Sequence, residues 1–127
     1  MKTNYKLALT LLAGVGLGAA AIQGLHAQAK PHAYAVIENN VVNQEAFAKE
    51  LFPAVVKIIT DAGGKYLARG GKMVGIEGQP FKRLIVIEFE NMEKAEAAFS
   101  SAAYKDARKI GEKYSKVRTT IVEGVSQ

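Results

Sequence analysis

The segment RLIVIEF, residues 83–89, most strongly constrains what this chain can fold into. Its centre, Leu84–Ile87, contains no polar residue. A strand with one solvent-exposed face alternates apolar and polar residues, whereas an unbroken apolar run is typical of a strand that is covered on both faces. The sequence therefore predicts a sheet with helices on one face and a second cover on the other.

The rest of the chain supplies the elements around this strand. Alternating apolar residues predict a first strand over 32–38 and a last strand over 118–125. Helical spacing predicts one helix over 44–62, and we expect a kink or break at Pro53 because a proline inside a helix costs about 3 kcal/mol. A second helix, split in two, is predicted over 90–117. The order β-α-β-β-α-β predicts an α+β, ferredoxin-like domain with an antiparallel sheet and helices on one face.

The glycine-rich segment GGKYLARGGKMVGIEG, residues 63–78, raises the possibility of a phosphate-binding loop. That motif is G-x-x-x-x-G-K-[ST], but here Met73 follows the Gly-Lys pair and Tyr66 stands where the first Gly is required. Glycines within a strand more often mark a bulge or a sharp bend. We therefore predict a long second strand that bends at Gly70 and Gly71.

The first 29 residues have the layout of a secretory signal peptide. Lys2 and Lys6 precede an apolar run without charges, and A-Q-A supplies the small residues that signal peptidase requires. A membrane anchor is the alternative, but a spanning helix needs about 20 apolar residues and this run is shorter. We expect cleavage after Ala29, a periplasmic or secreted protein without membrane association after cleavage, and a single domain over 30–127.

Charge and composition disfavour several classes of function. The chain has 17 Lys and Arg against 12 Asp and Glu, yet two of these cations lie in the signal peptide and no basic run alternates with aromatics, which disfavours nucleic acid binding. Because Cys is absent and His32 is the one histidine after the signal peptide, we expect no metal and no cofactor. A small exported domain without disulfides needs another source of stability, which favours a homodimer through the open sheet face.

The segments GGKYLARGG, IEG, RLIVIEF, SAAYKDA and a final VEG follow one another over roughly residues 33–125. Together they resemble the family catalogued as domain of unknown function 1330 (DUF1330). The resemblance implies a fold of the dimeric α/β-barrel superfamily, which includes monooxygenases, isomerases, decarboxylases and proteins without known chemistry. It therefore supports the predicted fold and implies no particular reaction.

Three residues of the central hairpin are candidates for a site. Arg69 follows the second strand's apolar residues, and its guanidinium could hold a carboxylate through two hydrogen bonds. A turn centred at Gly78 and Gln79 would place Arg69 opposite Glu88. Such a pair, with Tyr66 nearby, could bind a small acid or move a proton, although a one-residue bulge would exchange the faces. A structural cross-strand ion pair is the alternative.

These residues favour a small-molecule-binding or accessory protein with a pocket between sheet and helices. The expected ligand is a small organic acid or an apolar molecule, bound by Arg69 with Glu88 and Tyr66 close by. One alternative is a cofactor-free enzyme of the isomerase or monooxygenase kind, in which Glu88 or Tyr66 acts as the acid–base group. Another alternative is a structural protein without a pocket.

Overall fold

A computed structural model of the chain describes residues 30–126, so the predicted signal peptide and its cleavage after Ala29 lie outside the described residues. Four strands are present: β1 (Ala33–Val41), β2 (Lys65–Arg69), β3 (Leu84–Phe89) and β4 (Ser115–Glu123). They form one sheet in the order β2-β3-β1-β4, in which every neighbouring pair is antiparallel. This arrangement confirms the predicted ferredoxin-like fold and places the apolar strand β3 inside the sheet.

The helices connect these strands in two stretches. The first consists of α1 (Gln44–Ala46), a π-helical turn (Phe47–Leu51) and α2 (Phe52–Asp61), and the second consists of α3 (Met92–Ser100) and α4 (Ala102–Gly111). Pro53 lies in the first turn of α2. Since Pro53 has no N–H and its ring excludes the carbonyl four residues earlier, regular α-helical bonding cannot continue through it. The chain nevertheless remains helical from Gln44 to Asp61, and the expected irregularity at Pro53 takes the form of the wider π-helical turn that directly precedes α2.

Polar side chains fix where the helices begin. Asn43 accepts a hydrogen bond from the backbone N–H of Ala46 at 3.1 Å, before α1. Asn91 accepts one from the N–H of Lys94 at 2.9 Å, before α3. Ser101 accepts one from the N–H of Tyr104 at 3.2 Å, and this cap separates α3 from α4. The predicted division of the second helix thus has a local cause in the sequence.

Burial alternates along β1 and β3 and identifies the face that the helices cover. Ala33 and Ala35 of β1 are fully buried, and their small side chains allow α3 to approach with Ala95 and Ala98. On β3 the residues Ile85, Ile87 and Phe89 are buried, whereas the residues between them are only half-buried. The hydrophobic core therefore lies on one side of the sheet, and no helix or strand of residues 30–126 covers the other side.

The second strand is shorter than predicted. It ends at Arg69, directly before Gly70, whose φ of +64° lies in the left-handed region that favours glycine. Residues 71–83 form no strand, so the predicted long bent strand is wrong. This loop exposes apolar side chains, including Val74 and Ile76.

Within residues 30–126, no helix is both long and apolar enough to cross a membrane.

Candidate functional site

A cavity lies between the sheet and the helices. The volume that the centres of water molecules can occupy in it is about 40 Å³. A single water needs about 10–15 Å³ of such volume. The cavity therefore has space for roughly three water-sized groups. Its lining consists of Ile37, Asn39, Phe47, Leu51, Phe52, Val55, Ile59, Tyr66, Ile85, Ile87, Phe99, Tyr104, Arg108 and Val117.

The π-helical turn contributes directly to this lining. Phe47 and Leu51 lie at its two ends and are both buried. The ring of Phe47 packs against Phe52, with ring centroids 5.5 Å apart and planes tilted by 42°. Helical turns of this kind are frequent at functional sites, since the extra residue redirects side chains from the regular spacing. The turn that Pro53 accompanies thus shapes one wall of the cavity.

Asn39 is the polar residue of β1 that lines the cavity. It is 5% exposed, and its Oδ1 atom is buried without a hydrogen-bond partner. A buried polar atom without a partner costs about 1–3 kcal/mol, and native proteins have few of them. The cavity therefore contains an acceptor that a hydrogen-bond donor would satisfy.

Two tyrosines add polar groups to the apolar lining. Burial raises the pKa of Tyr66, and the nearby Arg69 guanidinium offsets part of this increase. Burial also raises the pKa of Tyr104, and the charge of Arg108, together with the hydrogen bond with Thr119, offsets part of that increase. Both hydroxyl groups consequently remain protonated at neutral pH and can donate hydrogen bonds.

The predicted pairing of Arg69 with Glu88 is wrong. Glu88 lies opposite Lys65, and Arg69 lies opposite Ile85. The register shifts by one position at Leu67, between these two pairs. Because side chains alternate between faces with a period of two, one extra residue moves the remainder of the strand to the other face.

The shift separates the three predicted site residues. Glu88 lies on the open face, where its Oε1 is 3.6 Å from Nδ1 of His32. Arg69 lies on the helix side, and its Cζ atom is 5.1 Å from the ring centroids of both Phe52 and Tyr66. The structure thus brings Arg69 and Tyr66 together at the edge of the cavity and leaves Glu88 outside it.

The geometry can now be compared with known proteins. The family model described as domain of unknown function (DUF1330) matches residues 32–125. The chain belongs to the DUF1330 family. The resemblance of the glycine-rich hairpin and the central strand is therefore confirmed, and no function follows from it because the family has none assigned.

Solved structures similar to this DUF1330 protein support its fold. A protein of unknown function from Rhodopseudomonas palustris has a TM-score of 0.59 at 11% identity, covering 85% of this chain and 94% of that chain. SnoaB from Streptomyces nogalater, a cofactor-independent oxygenase, has a TM-score of 0.53 at 9% identity, covering 76% of this chain and 96% of that chain. These similarities show the ferredoxin-like fold of dimeric α/β-barrel proteins. A search of the curated proteins gave no match.

Three polar residues of this DUF1330 chain at or near the cavity were not predicted from the sequence. Asn39 follows Ala35 and Ile37 at the same spacing of two residues, and this alternation predicts that its side chain faces the helices. It was not identified because the first strand was predicted to end before residue 39. Arg108 lines the cavity, and Arg83 lies with its Cζ 5.6 Å from the ring centroid of Phe52. No sequence pattern distinguishes these two arginines from surface cations.

Proposed function

We propose that this protein binds a small, mainly apolar molecule in the cavity between its sheet and its helices. The observation that carries the proposal is the partnerless Oδ1 of Asn39, which lines an otherwise largely apolar cavity. A cavity that held neither a ligand nor a water would leave this acceptor without a donor, at a cost of about 1–3 kcal/mol. Apolar walls with a few convergent polar groups are the usual composition of small-molecule sites.

Arg69 is the proposed anchor at the edge of this cavity. Its guanidinium contacts the rings of Phe52 and Tyr66, both of which line the cavity, and it is itself exposed. Such a cation could hold an acidic group of a ligand whose apolar part enters the cavity. Glu88 is not part of the proposed site, since it lies on the opposite face.

The enzymatic alternative has weaker support. Of its two acid–base candidates, only Tyr66 reaches the cavity, and burial keeps its hydroxyl protonated. A protonated tyrosine can donate a hydrogen bond but does not act as a base at neutral pH. The cavity also favours binding over a purely structural role.

We further propose that the protein is exported and that two copies associate through the open face of the sheet. The apolar side chains of Leu84 and Val86 on this face are only half-buried in the single chain. A partner sheet would provide the second cover that the unbroken apolar run of β3 predicts. The proposal of export depends on the sequence of the first 29 residues alone.

Saturation-transfer NMR tests the binding proposal with two small probes, 3-methylbutan-1-ol and 3-methylbutanoate. We expect at least one of them to bind the wild-type protein. Val55→Phe should abolish this binding, because Val55 lines the cavity and the larger side chain fills it. Val74→Phe is the matched control, since Val74 is 73% exposed on the loop. If neither probe binds, or if Val55→Phe binds as well as the control, the proposal is wrong.

A further inference from the structure

The arginines of this chain are distributed unevenly between the two faces of the sheet. Of the four, Arg118 lies on the open face and forms an ion pair with Glu38 at 3.2 Å. Arg69, Arg83 and Arg108 lie on the helix side, at or near the cavity. Within residues 30–126, none of these three has a carboxylate within 4 Å. The helix side thus collects positive charge without acidic partners.

The strand register places these arginines at one end of the sheet. Arg83 immediately precedes β3, and its carbonyl accepts a hydrogen bond from the backbone N–H of Asn39 at 2.9 Å. Arg69 lies opposite Ile85, two residues further along β3. On the far side of β1, Arg108 donates from Nη1 to Oγ of Ser115 at 3.2 Å. Asn39 is therefore hydrogen-bonded to the residue that precedes β3, and its partner on β4 is Val117, two residues from Ser115.

Arg69 and Arg83 contact the same aromatic ring. Their Cζ atoms lie 5.1 Å and 5.6 Å from the ring centroid of Phe52. The backbone also packs closely on one of them, because a Cβ atom at Gly70 would lie 3.1 Å from Cζ of Arg83. The Nε atom of Arg83 is buried and has no hydrogen-bond partner. Both guanidinium groups approach the ring of Phe52, so an anion bound beside this ring could contact both of them.

The two partnerless atoms have opposite requirements. Nε–H of Arg83 is a donor and needs an acceptor, such as a carboxylate oxygen. Oδ1 of Asn39 accepts only and would be repelled by a carboxylate, so it needs a hydroxyl or an N–H group. An ammonium group would satisfy Asn39 but would be repelled by the nearby guanidinium groups, whereas a neutral hydroxyl would not. The complementary ligand therefore carries both a carboxylate and a hydroxyl.

We propose that the ligand is a small branched 2-hydroxycarboxylic acid, an inference that rests on the proposed function. Its carboxylate contacts Arg69 and Arg83, and its hydroxyl donates a hydrogen bond to Oδ1 of Asn39. Its alkyl group enters the apolar part of the cavity. The cavity is small, so only a short alkyl group such as isopropyl can enter it.

Isothermal titration calorimetry on the full chain tests this ligand class with three matched probes. They are 2-hydroxy-3-methylbutanoate, 3-methylbutanoate, which lacks the hydroxyl, and 3-methylbutan-1-ol, which lacks the carboxylate. We expect the hydroxy acid to bind at least about tenfold more tightly than either of the others, since a hydrogen bond to a buried polar group is worth about one factor of ten.

Variants assign each contact separately. Asn39→Leu should abolish the preference for the hydroxy acid over 3-methylbutanoate. Arg83→Gln should weaken both acids by about tenfold or more and leave the alcohol unchanged. Arg69→Gln provides the same test at an exposed position, where loss of folding is not expected. Arg118→Gln is the control, because this arginine lies on the open face and should not affect any probe.

The outcomes separate this inference from the proposed function. One outcome is that the alcohol binds in a manner that Val55→Phe abolishes while the acids bind no more tightly than the alcohol. In that case the proposed hydroxy acid ligand is wrong, and the proposed binding function stands. If the acids bind equally with and without the hydroxyl, the role of Asn39 is wrong. If no probe binds the wild-type protein, the proposed function itself is contradicted.

Discussion

Replacement of Asn39 by Leu should increase the stability of the empty protein. Leucine has nearly the same shape as asparagine, and position 39 is 5% exposed beside the apolar residues of the cavity. The substitution removes a buried oxygen without a partner, which costs about 1–3 kcal/mol. It also places an apolar side chain in apolar surroundings, which adds to the gain. We therefore expect the free energy of unfolding to rise by about 1 kcal/mol or more.

Thermal unfolding followed by circular dichroism measures this effect. For a domain of this size, about 1 kcal/mol corresponds to a rise in Tm of roughly 4–8 °C. Asn40→Leu is the matched control, since Asn40 is the next residue of β1 and lies on the opposite face. Its effect should remain within about 0.5 kcal/mol. A Tm of Asn39→Leu at or below that of the wild type would show that Oδ1 is satisfied in the folded protein and would refute the argument.

Three further predictions concern the strand end, the tyrosines and the open face. Gly70→Ala should lower the free energy of unfolding, measured in urea, by about 1–2 kcal/mol, because φ is +64° and the new Cβ would lie 3.1 Å from the Arg83 guanidinium. Gly71→Ala is the control and should change the free energy of unfolding little, because a Cβ at Gly71 would meet no atom within 4 Å. Burial raises the pKa of Tyr66, so its stabilising contribution is present below the unfolded-state pKa of about 10 and is lost as the pH rises through the folded-state pKa. In urea unfolding at increasing alkaline pH, Tyr66→Phe should therefore lose less stability than the wild type. An unchanged dependence of the free energy of unfolding on pH would contradict this. Val86→Lys places a charge on the open sheet face and should convert the proposed homodimer into a monomer in light scattering at micromolar concentration; a wild-type monomer would show that the dimer itself is wrong.

The sequence was sufficient for those parts of the fold that depend on local chemistry. Asn91 and Ser101 cap helices because their side chains reach the next backbone N–H groups, and this requires no tertiary contact. Pro53 interrupts the first helix for an equally local reason. The central strand was recognisable from its uninterrupted apolar residues. These features are determined by residues that are adjacent in the chain.

The site depended on features that are not local. A one-residue register shift at Leu67 decides which face of the sheet Arg69 occupies, and nothing in the sequence of β2 indicates where the shift occurs. Arg108 lines the cavity and donates to Ser115, and Arg83 approaches Phe52, although both partners are distant in the chain. Of the predicted residues, Tyr66 lines the cavity and Arg69 lies beside it, whereas Glu88 was assigned to the wrong face.

Two kinds of polar group at and near the cavity have no partner within the described residues. Arg118 on the open face has an acidic partner in Glu38, but the guanidinium groups near Phe52 have none within the described residues. The Oδ1 atom of Asn39 likewise has no donor. A bound hydroxy acid would supply both missing groups. Consequently Asn39→Leu should weaken its binding without lowering the stability of the empty protein. A structural role for Asn39 predicts a loss of stability, so binding and unfolding measurements on the same variant distinguish the two explanations.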